Sequence, residues 1–298
     1  MKKFIAKHRE SVTGACFILP GLLYVVLLVG YPIVYNLMIS FKDLNVRTIQ
    51  KGAEWVGLQN YVNLFKNGLL TQTIGQTFLF TAVCIVVQMV FGLALAVFFN
   101  RDFKCAKVIR GMLLVIWVVP MTVTAIIYKF MFQTDGGLIN TLLMNLHLIK
   151  QPIEWLINGK MAMAAVIFAN SWVGIPFYMI LLTSGLNGIS PEIYESAEID
   201  GANARTKFMK ITLPLLKPSL LSTFILGVIY TFKVFELVVI MTNGGPNDAT
   251  ELLSTYSYKL SFGQYQFSQG AAVANVLFLC LLVVTLIYLR FIKEDEVM

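Results

Sequence analysis

Phe78-Leu-Phe-Thr-Ala-Val-Cys-Ile-Val-Val-Gln88-Met-Val-Phe-Gly-Leu-Ala-Leu-Ala-Val-Phe-Phe99 carries no charged side chain, and the run extends back to Thr73 without meeting one. A helix of about 20 mainly apolar residues is enough to cross about 30 Å of hydrocarbon, so residues 73–99 read as a membrane span. Five further stretches qualify: about 15–39, 108–132, 162–186, 215–241 and 270–292. The first follows Lys2, Lys3, Lys7 and Arg9 and resembles a signal peptide at first sight. Its apolar run is too long for the about 7–15-residue core of such a peptide, and no small-residue cleavage site follows it. The expectation is a retained helix.

Composition supports the same class. Of 298 residues, 57% are hydrophobic and 13% charged, and the mean hydropathy is +0.74. Soluble domains carry about 45–50% apolar and about 25% charged residues, so a soluble surface cannot be built from this chain. Disorder and fibrous repeats fail for the same reason. The net charge of +7 invites a nucleic-acid reading, but no basic run or aromatic-interleaved patch supports one. Cys16, Cys84, Cys105 and Cys280 lie mostly in apolar runs with no Cys-x-x-Cys pair, and read as small hydrophobes with no disulfide framework or metal site.

Lys and Arg instead orient the chain. With the N-terminus inside, the inner segments outnumber the outer ones in Lys and Arg by about two to one. Both termini and the loops 100–107 and 187–214 are then cytoplasmic, in a multi-pass membrane protein. Pro20, Pro32, Pro120 and Pro176 fall inside spans. Neighbours, side chains or water can satisfy the backbone groups they free, so kinks and a cavity are expected. Trp55, Leu58, Tyr61, Val62 and Phe65, at helical spacing within 54–65, describe a short interfacial helix. Asn243-Gly-Gly-Pro246 opens the 242–269 loop with a turn. No repeat or linker is visible, and 1–298 reads as one domain.

The most informative connection is Ser190-Pro-Glu-Ile-Tyr-Glu195-Ser-Ala-Glu-Ile-Asp200-Gly-Ala-Asn-Ala-Arg205-Thr-Lys-Phe-Met-Lys210-Ile-Thr-Leu-Pro214. Ser190 is an N-cap candidate, Pro191 suits the first helical position and Glu192 the first turn. A helix over about 191–200 should end at Gly201 as a left-handed cap, with a second short helix across Arg205–Lys210. Ala197 forms a small-residue notch on an acidic helix, suited to a groove on another protein. The alternative is a solvated helix that only joins two spans.

Glu195-x-Ala197-x-x-x-Gly201, followed by Ile211-x-Leu213-Pro214, resembles the EAA loop of binding-protein-dependent ABC importer permeases. Leu213-Pro-Leu-Leu-Lys-Pro218, Trp55-Val-Gly-Leu-x-Asn-Tyr61, Thr242-Asn-Gly-Gly-Pro246 and Ile18-Leu-Pro-Gly21 are similar to signatures of the carbohydrate-uptake branch, with its maltose-permease-F and glycerol-phosphate-permease-A-like subunits. Ser196 stands where the motif usually has Ala, and the large outer insertion of the enterobacterial maltose subunit is absent. The resemblance implies an all-α, six-helix, type I ABC importer permease fold with cytoplasmic termini. It implies an ATP-driven importer of a sugar, coupled through about 190–214, with Glu195, Ala197, Asp200 and Gly201 at the ATPase contact. The implied partners are a second homologous permease, a cytoplasmic ABC ATPase dimer, an extracellular or periplasmic sugar-binding protein and the lipid bilayer. No Gly-x-x-x-x-Gly-Lys-[Ser/Thr] motif occurs, so ATP and magnesium belong to the partner. His8 and His147 are isolated and no catalytic set is visible; no enzyme chemistry or cofactor is expected in this chain.

By the same resemblance, sugar-contacting positions map to Trp117 and Met121 beside Pro120, to Val173, Gly174 and Phe177 around Pro176, and to Gly227, Tyr230, Thr231 and Val234. The last four also fall at i, i+3, i+4 and i+7, one helix face. Ordinary helix packing is the alternative for each aromatic. Of the intramembrane charges, Lys129 is explained by snorkelling. Lys233 and Glu236 stand i,i+3, and either pair with each other or flank the path. A self-sufficient secondary transporter or channel is the rival reading; it would show internal repeats or midplane carboxylates, and neither is clear.

Overall fold

A computed structural model describes residues 2–100 and 104–295, with side chains for 13, 14, 16–100 and 104–290. Lys2, Lys3, Lys7, Arg9, Arg101 and Lys293, which contribute to the charge bias, lie outside the described side chains. The described chain is helical and contains no strand. In order the helices are α1 (Lys2–Val25), α2 (Tyr31–Ser40), α3 (Gln59–Lys66), α4 (Leu69–Phe99), α5 (Ala106–Val118), α6 (Met121–Met131), α7 (Leu138–Asn145) and α8 (Gly159–Asn187). They continue as α9 (Pro191–Ile199), α10 (Ala204–Lys207), α11 (Leu213–Leu215), α12 (Lys217–Phe232), α13 (Glu236–Met241), α14 (Leu253–Tyr258) and α15 (Phe267–Asp295). Four segments are long and apolar enough to cross a membrane: Cys16–Ser40, Leu69–Phe99, Gly159–Asn187 and Phe267–Arg290. Counting α5 with α6 and 204–215 with α12 as bent spans raises the number to 6.

Proline acts differently at each position. At Pro120 the chain turns by 92° between α5 and α6, because the ring forces Val119 out of the helical region, to ψ 132°. The expected span over 108–132 is therefore two helices. Pro176 lies inside an unbroken α8. Pro32 follows a π-helical turn at Val26–Gly30, where the wider winding accommodates the lost hydrogen bond.

The chain divides into two compact units, Met1–Gly68 with Ser257–Val276, and Leu69–Tyr256 with Leu277–Met298. In the first, Asn36 Nδ2 donates to Asn275 Oδ1 at 2.8 Å, and Asn275 Nδ2 donates to the Tyr61 hydroxyl at 3.1 Å. The interfacial helix is shorter than 54–65. It begins at Gln59, while Trp55 lies before it, bridged to Lys42 and stacked on Phe41 at 5.6 Å.

The second unit is organised by α4 and α8, which run side by side in the same direction. Small residues let such helices approach in lipid, where packing and not water exclusion drives association. A Cβ on Gly92 of α4 would lie 2.5 Å from the Tyr178 Cβ and 3.2 Å from the Met179 backbone nitrogen. One core gathers Phe80, Cys84, Tyr128, Phe132, Val166 and Leu237; a second joins Ala96, Phe99, Met179, Leu182 and Leu216, with Tyr194 packed against it. The 242–256 segment is tied to α4: Gln76 donates to the Asp248 and Ala249 carbonyls, and Thr77 Oγ1 accepts from the Leu253 amide at 3.0 Å. Asn243 and Gly244 take positive φ in its turn (52° and 81°), as the glycine-rich sequence leads one to expect. Many large apolar side chains of α4 and α8 remain exposed, among them Val86, Val90, Phe91 and Phe168, as helices facing lipid require.

Candidate functional site: a cavity among five helices and a capped loop

The nine residues expected along a substrate path come together. Trp117, Met121, Val173, Gly174, Phe177, Gly227, Tyr230, Thr231 and Val234 all line one cavity of about 150 Å³. Five helices (α4, α5, α6, α8 and α12) and two chain breaks build it. The Pro120 turn brings the end of α5, with Trp117, against the start of α6, with Met121. The Trp117 ring stacks on Phe177 with centroids 5.6 Å apart at 22°, and Tyr230 meets Phe177 edge-on at 5.5 Å and 77°. Offset-stacked and edge-to-face rings are the preferred aromatic arrangements, so these three rings form a self-supporting wall.

Three residues that sequence reasoning missed complete the lining: Gln88, Asn170 and Tyr178. Gln88 is 2% exposed and donates to the Asn170 carbonyl at 3.0 Å. A Cβ on Gly174 would overlap the Gln88 amide, and one on Gly227 would overlap the Tyr178 hydroxyl. Gly174 and Gly227 are thus the spaces into which neighbouring polar groups fit. The single uncharged Gln88 in the otherwise apolar stretch 82–99 was the available signal for this site.

Of the two alternatives for Lys233 and Glu236, the i,i+3 pair does not form. The helix ends at Phe232 and restarts at Glu236, and the two side chains part. Lys233 Nζ sits 5.1 Å from the Tyr230 ring centroid, and Glu236 accepts from the Thr122 hydroxyl at 3.4 Å. Ser254 Oγ donates to the Val234 carbonyl freed at the break, at 2.5 Å. A larger polar cleft of about 410 Å³ lies in the other unit, among Asp43, Asn45, Arg47, Asn60, Gln264 and Gln269; no anticipated site residue lines it.

The loop 190–214 forms the anticipated helix, α9, but its N-terminus differs. Ser190 occupies the cap position without a side-chain capping bond. The C-terminus follows expectation: Gly201 takes φ 78°, its amide donates to the Glu198 carbonyl at 3.0 Å, and the Ala202 amide to the Ala197 carbonyl at 2.9 Å. Those are the two bonds of a Schellman cap. Asn203 then caps α10, its Oδ1 accepting from the Thr206 amide at 2.9 Å. The expected second helix over 205–210 is only α10, which gives way to a π-helical turn at Phe208–Thr212.

Ala197 corrects one expectation. It is buried, as the Tyr194 hydroxyl of the same helix reaches Thr212 at 3.0 Å, so it packs inward and is no surface notch. Glu195, Asp200 and Gly201 are exposed. Beside them stands Ile199, 87% exposed, an apolar knob on an acidic helix. The Lys207 ammonium, 2.5 Å from Glu198, holds the Glu198 carboxyl below the usual carboxylate range through its hydrogen bond and charge. A depressed carboxyl contributes above its unfolded pKa and loses that contribution as pH falls through its folded one. Amide exchange at Ala202 and Lys207 should therefore speed up as pH drops below about 4, after correction for intrinsic rates, and Glu198→Gln should remove that pH dependence.

Comparison with known proteins agrees with this architecture. The chain is 32% identical over 286 residues to the trehalose/maltose transport system permease protein MalF of Thermococcus litoralis, covering 95% of each chain. It is 32% identical over 295 residues to the diacetylchitobiose uptake system permease protein DasB of Streptomyces coelicolor, covering 98% of this chain and 90% of that one. A solved bacterial ABC transporter involved in the import of the acidic polysaccharide alginate superposes with a TM-score of 0.83 at 19% identity, over 99% of both chains, and shows the same fold. Residues 88–293 match the model of the binding-protein-dependent transport system inner membrane component. The chain belongs to that family of inner-membrane ABC transporter permeases.

Proposed function

We propose that this chain is one of two permease subunits of an ATP-driven importer for a sugar, and that it spans the membrane six times as a single domain with both termini in the cytoplasm. The observation that carries the reading is the convergence of nine resemblance-mapped positions on one cavity walled by three aromatic rings. Relatives named for trehalose/maltose and diacetylchitobiose uptake support a sugar, and an oligosaccharide in particular. About 150 Å³ is well below the about 300–1,000 Å³ of pockets that enclose a small molecule. That size supports the reading that the cavity is half of a site, with a second, similar permease supplying the other half.

Loop 190–214 docks α9 into a cleft of a cytoplasmic ATPase, which uses ATP and magnesium. Glu195 and Asp200 provide the charged contact, Ile199 the apolar one, and Gly201 the turn. Closure of the ATPase pair then rocks the permeases between inward- and outward-facing states, a rigid-body coupling between distant sites. A binding protein delivers the sugar from the other side.

Copurification from the native membrane tests the assembly: an ATPase and a second permease should accompany the chain in stable proportion. Uptake by this chain alone in liposomes, driven by an ion gradient, would overturn the reading. Topology has its own check. Cys105 and Ala204→Cys should react with an impermeant thiol reagent only from the cytoplasmic side, and Asn67→Cys and Asn247→Cys only from outside. The reverse pattern would contradict both the charge bias and the ATPase contact.

A further inference from the structure

The cavity has a chemical character that narrows its ligand. None of its lining residues carries a carboxylate, ammonium or guanidinium. The neighbouring charges stand outside the lining, Lys233 turned onto the Tyr230 ring and Glu236 onto Thr122. An anionic ring placed here would lose its water without gaining a buried partner charge, which is strongly unfavourable. The lining instead offers groups that both donate and accept: the amides of Gln88 and Asn170, the hydroxyls of Tyr178, Tyr230 and Thr231, and the indole N–H of Trp117 as a donor. Sugar hydroxyls have the same dual character.

Two of these groups are unusual. The Tyr178 side chain is 1% exposed and its hydroxyl has no hydrogen-bond partner within the chain. Buried polar groups are nearly always paired, so an unpaired one at a cavity wall calls for an explanation. Gly227 leaves the space beside that hydroxyl, since a Cβ there would overlap it. Gln88, 2% exposed, spends one N–H on the Asn170 carbonyl and keeps its oxygen and second N–H.

We propose that the cavity selects an uncharged saccharide ring, and that Tyr178 and Gln88 are the residues that determine this specificity by hydrogen-bonding its hydroxyls. The inference rests on the sugar-importer reading above. Gly227 then acts by making room for the Tyr178 hydroxyl and not as a sugar contact itself. The aromatic wall supplies the stacking face, and Tyr178 with Gln88 the polar edge.

The test uses the assembled importer in nanodiscs without its binding protein. Equilibrium binding is measured for neutral trisaccharides built from glucose, galactose or N-acetylglucosamine, and for a triuronate of the same length. The wild type should bind at least one neutral trisaccharide and not the triuronate. Tyr178→Phe and Gln88→Ala should each weaken that binding about tenfold. The Tyr178→Phe complex should unfold at a temperature no lower than wild type, because the hydroxyl removed has no partner in the chain. Triuronate binding as tight as the best neutral sugar would overturn the selectivity, and wild-type affinity in Tyr178→Phe would overturn the role of the hydroxyl. Weakened binding together with a lowered unfolding temperature in Tyr178→Phe would make the hydroxyl structural and also overturn it. If the wild type neither binds nor transports any saccharide, neutral or acidic, the importer reading falls with the proposal. If it transports one and Tyr178→Phe binds that sugar normally, only the proposal falls.

Discussion

Gly201→Val should reduce sugar uptake and binding-protein-stimulated ATPase activity together, each to a tenth or less, while the protein still reaches the membrane. Residue 201 adopts φ 78°, a region in which a β-branched side chain is a genuine outlier. Left-handed backbone costs an L-residue about 1–2 kcal/mol, before the crowding that a branched Cβ adds. The simplest escape is to unwind the cap, which surrenders the amide bonds from Gly201 to Glu198 and from Ala202 to Ala197. Those bonds set the direction in which Glu195, Ile199 and Asp200 are presented. No Cβ clash contributes, since nothing lies within 4 Å of the added atom. The effect is therefore conformational, and Gly201→Asn should retain much of the activity, because Asn visits the left-handed region with little penalty. Normal stimulation in Gly201→Val would remove loop 190–214 from the coupling path.

Tyr230→Ala should lower transport tenfold or more at limiting sugar. The Tyr230 ring is half-exposed and stands edge-on to Phe177, which stacks on Trp117. Removing it takes away one face of the wall and loosens the ring behind it. By analogy with base–aromatic stacking and buried hydrogen bonds, a stacked ring and its polar contacts contribute about 1–3 kcal/mol. Since about 1.4 kcal/mol is a factor of ten, the loss should be measurable as a fall in uptake rate at fixed sugar and binding-protein concentration. Lys233→Met gives the control. Its ammonium faces the Tyr230 ring from outside the lining, so a weakened complex in detergent with unchanged sugar preference would mark it as structural. Wild-type transport kinetics in Tyr230→Ala would return this face of α12 to plain packing.

What was legible from the amino-acid sequence was whatever depends on a residue and its near neighbours in the chain. Apolar runs long enough to span hydrocarbon declare themselves, because the bilayer sets their length. The end of α9 declares itself as well, because glycine after a capped run is the residue that tolerates positive φ. The face holding Gly227, Tyr230, Thr231 and Val234 followed from helical periodicity together with family resemblance. Tertiary packing decided the rest. Pro120 turns the chain by 92° and Pro176 leaves α8 unbroken, a difference that lies in what surrounds each ring and not in the ring. Lys233 and Glu236 are the right distance apart for a pair on a helix, but the helix stops between them, with the Ser254 hydroxyl taking up the Val234 carbonyl. Ala197 looks like a notch for a partner until Tyr194 and Thr212 show which way the helix is turned. Gln88, Asn170 and Tyr178 become a site only when α4 and α8 lie side by side and glycines on α8 and α12 leave room for them. Contacts between helices far apart in the chain have no local period, so only the folded arrangement brings them together.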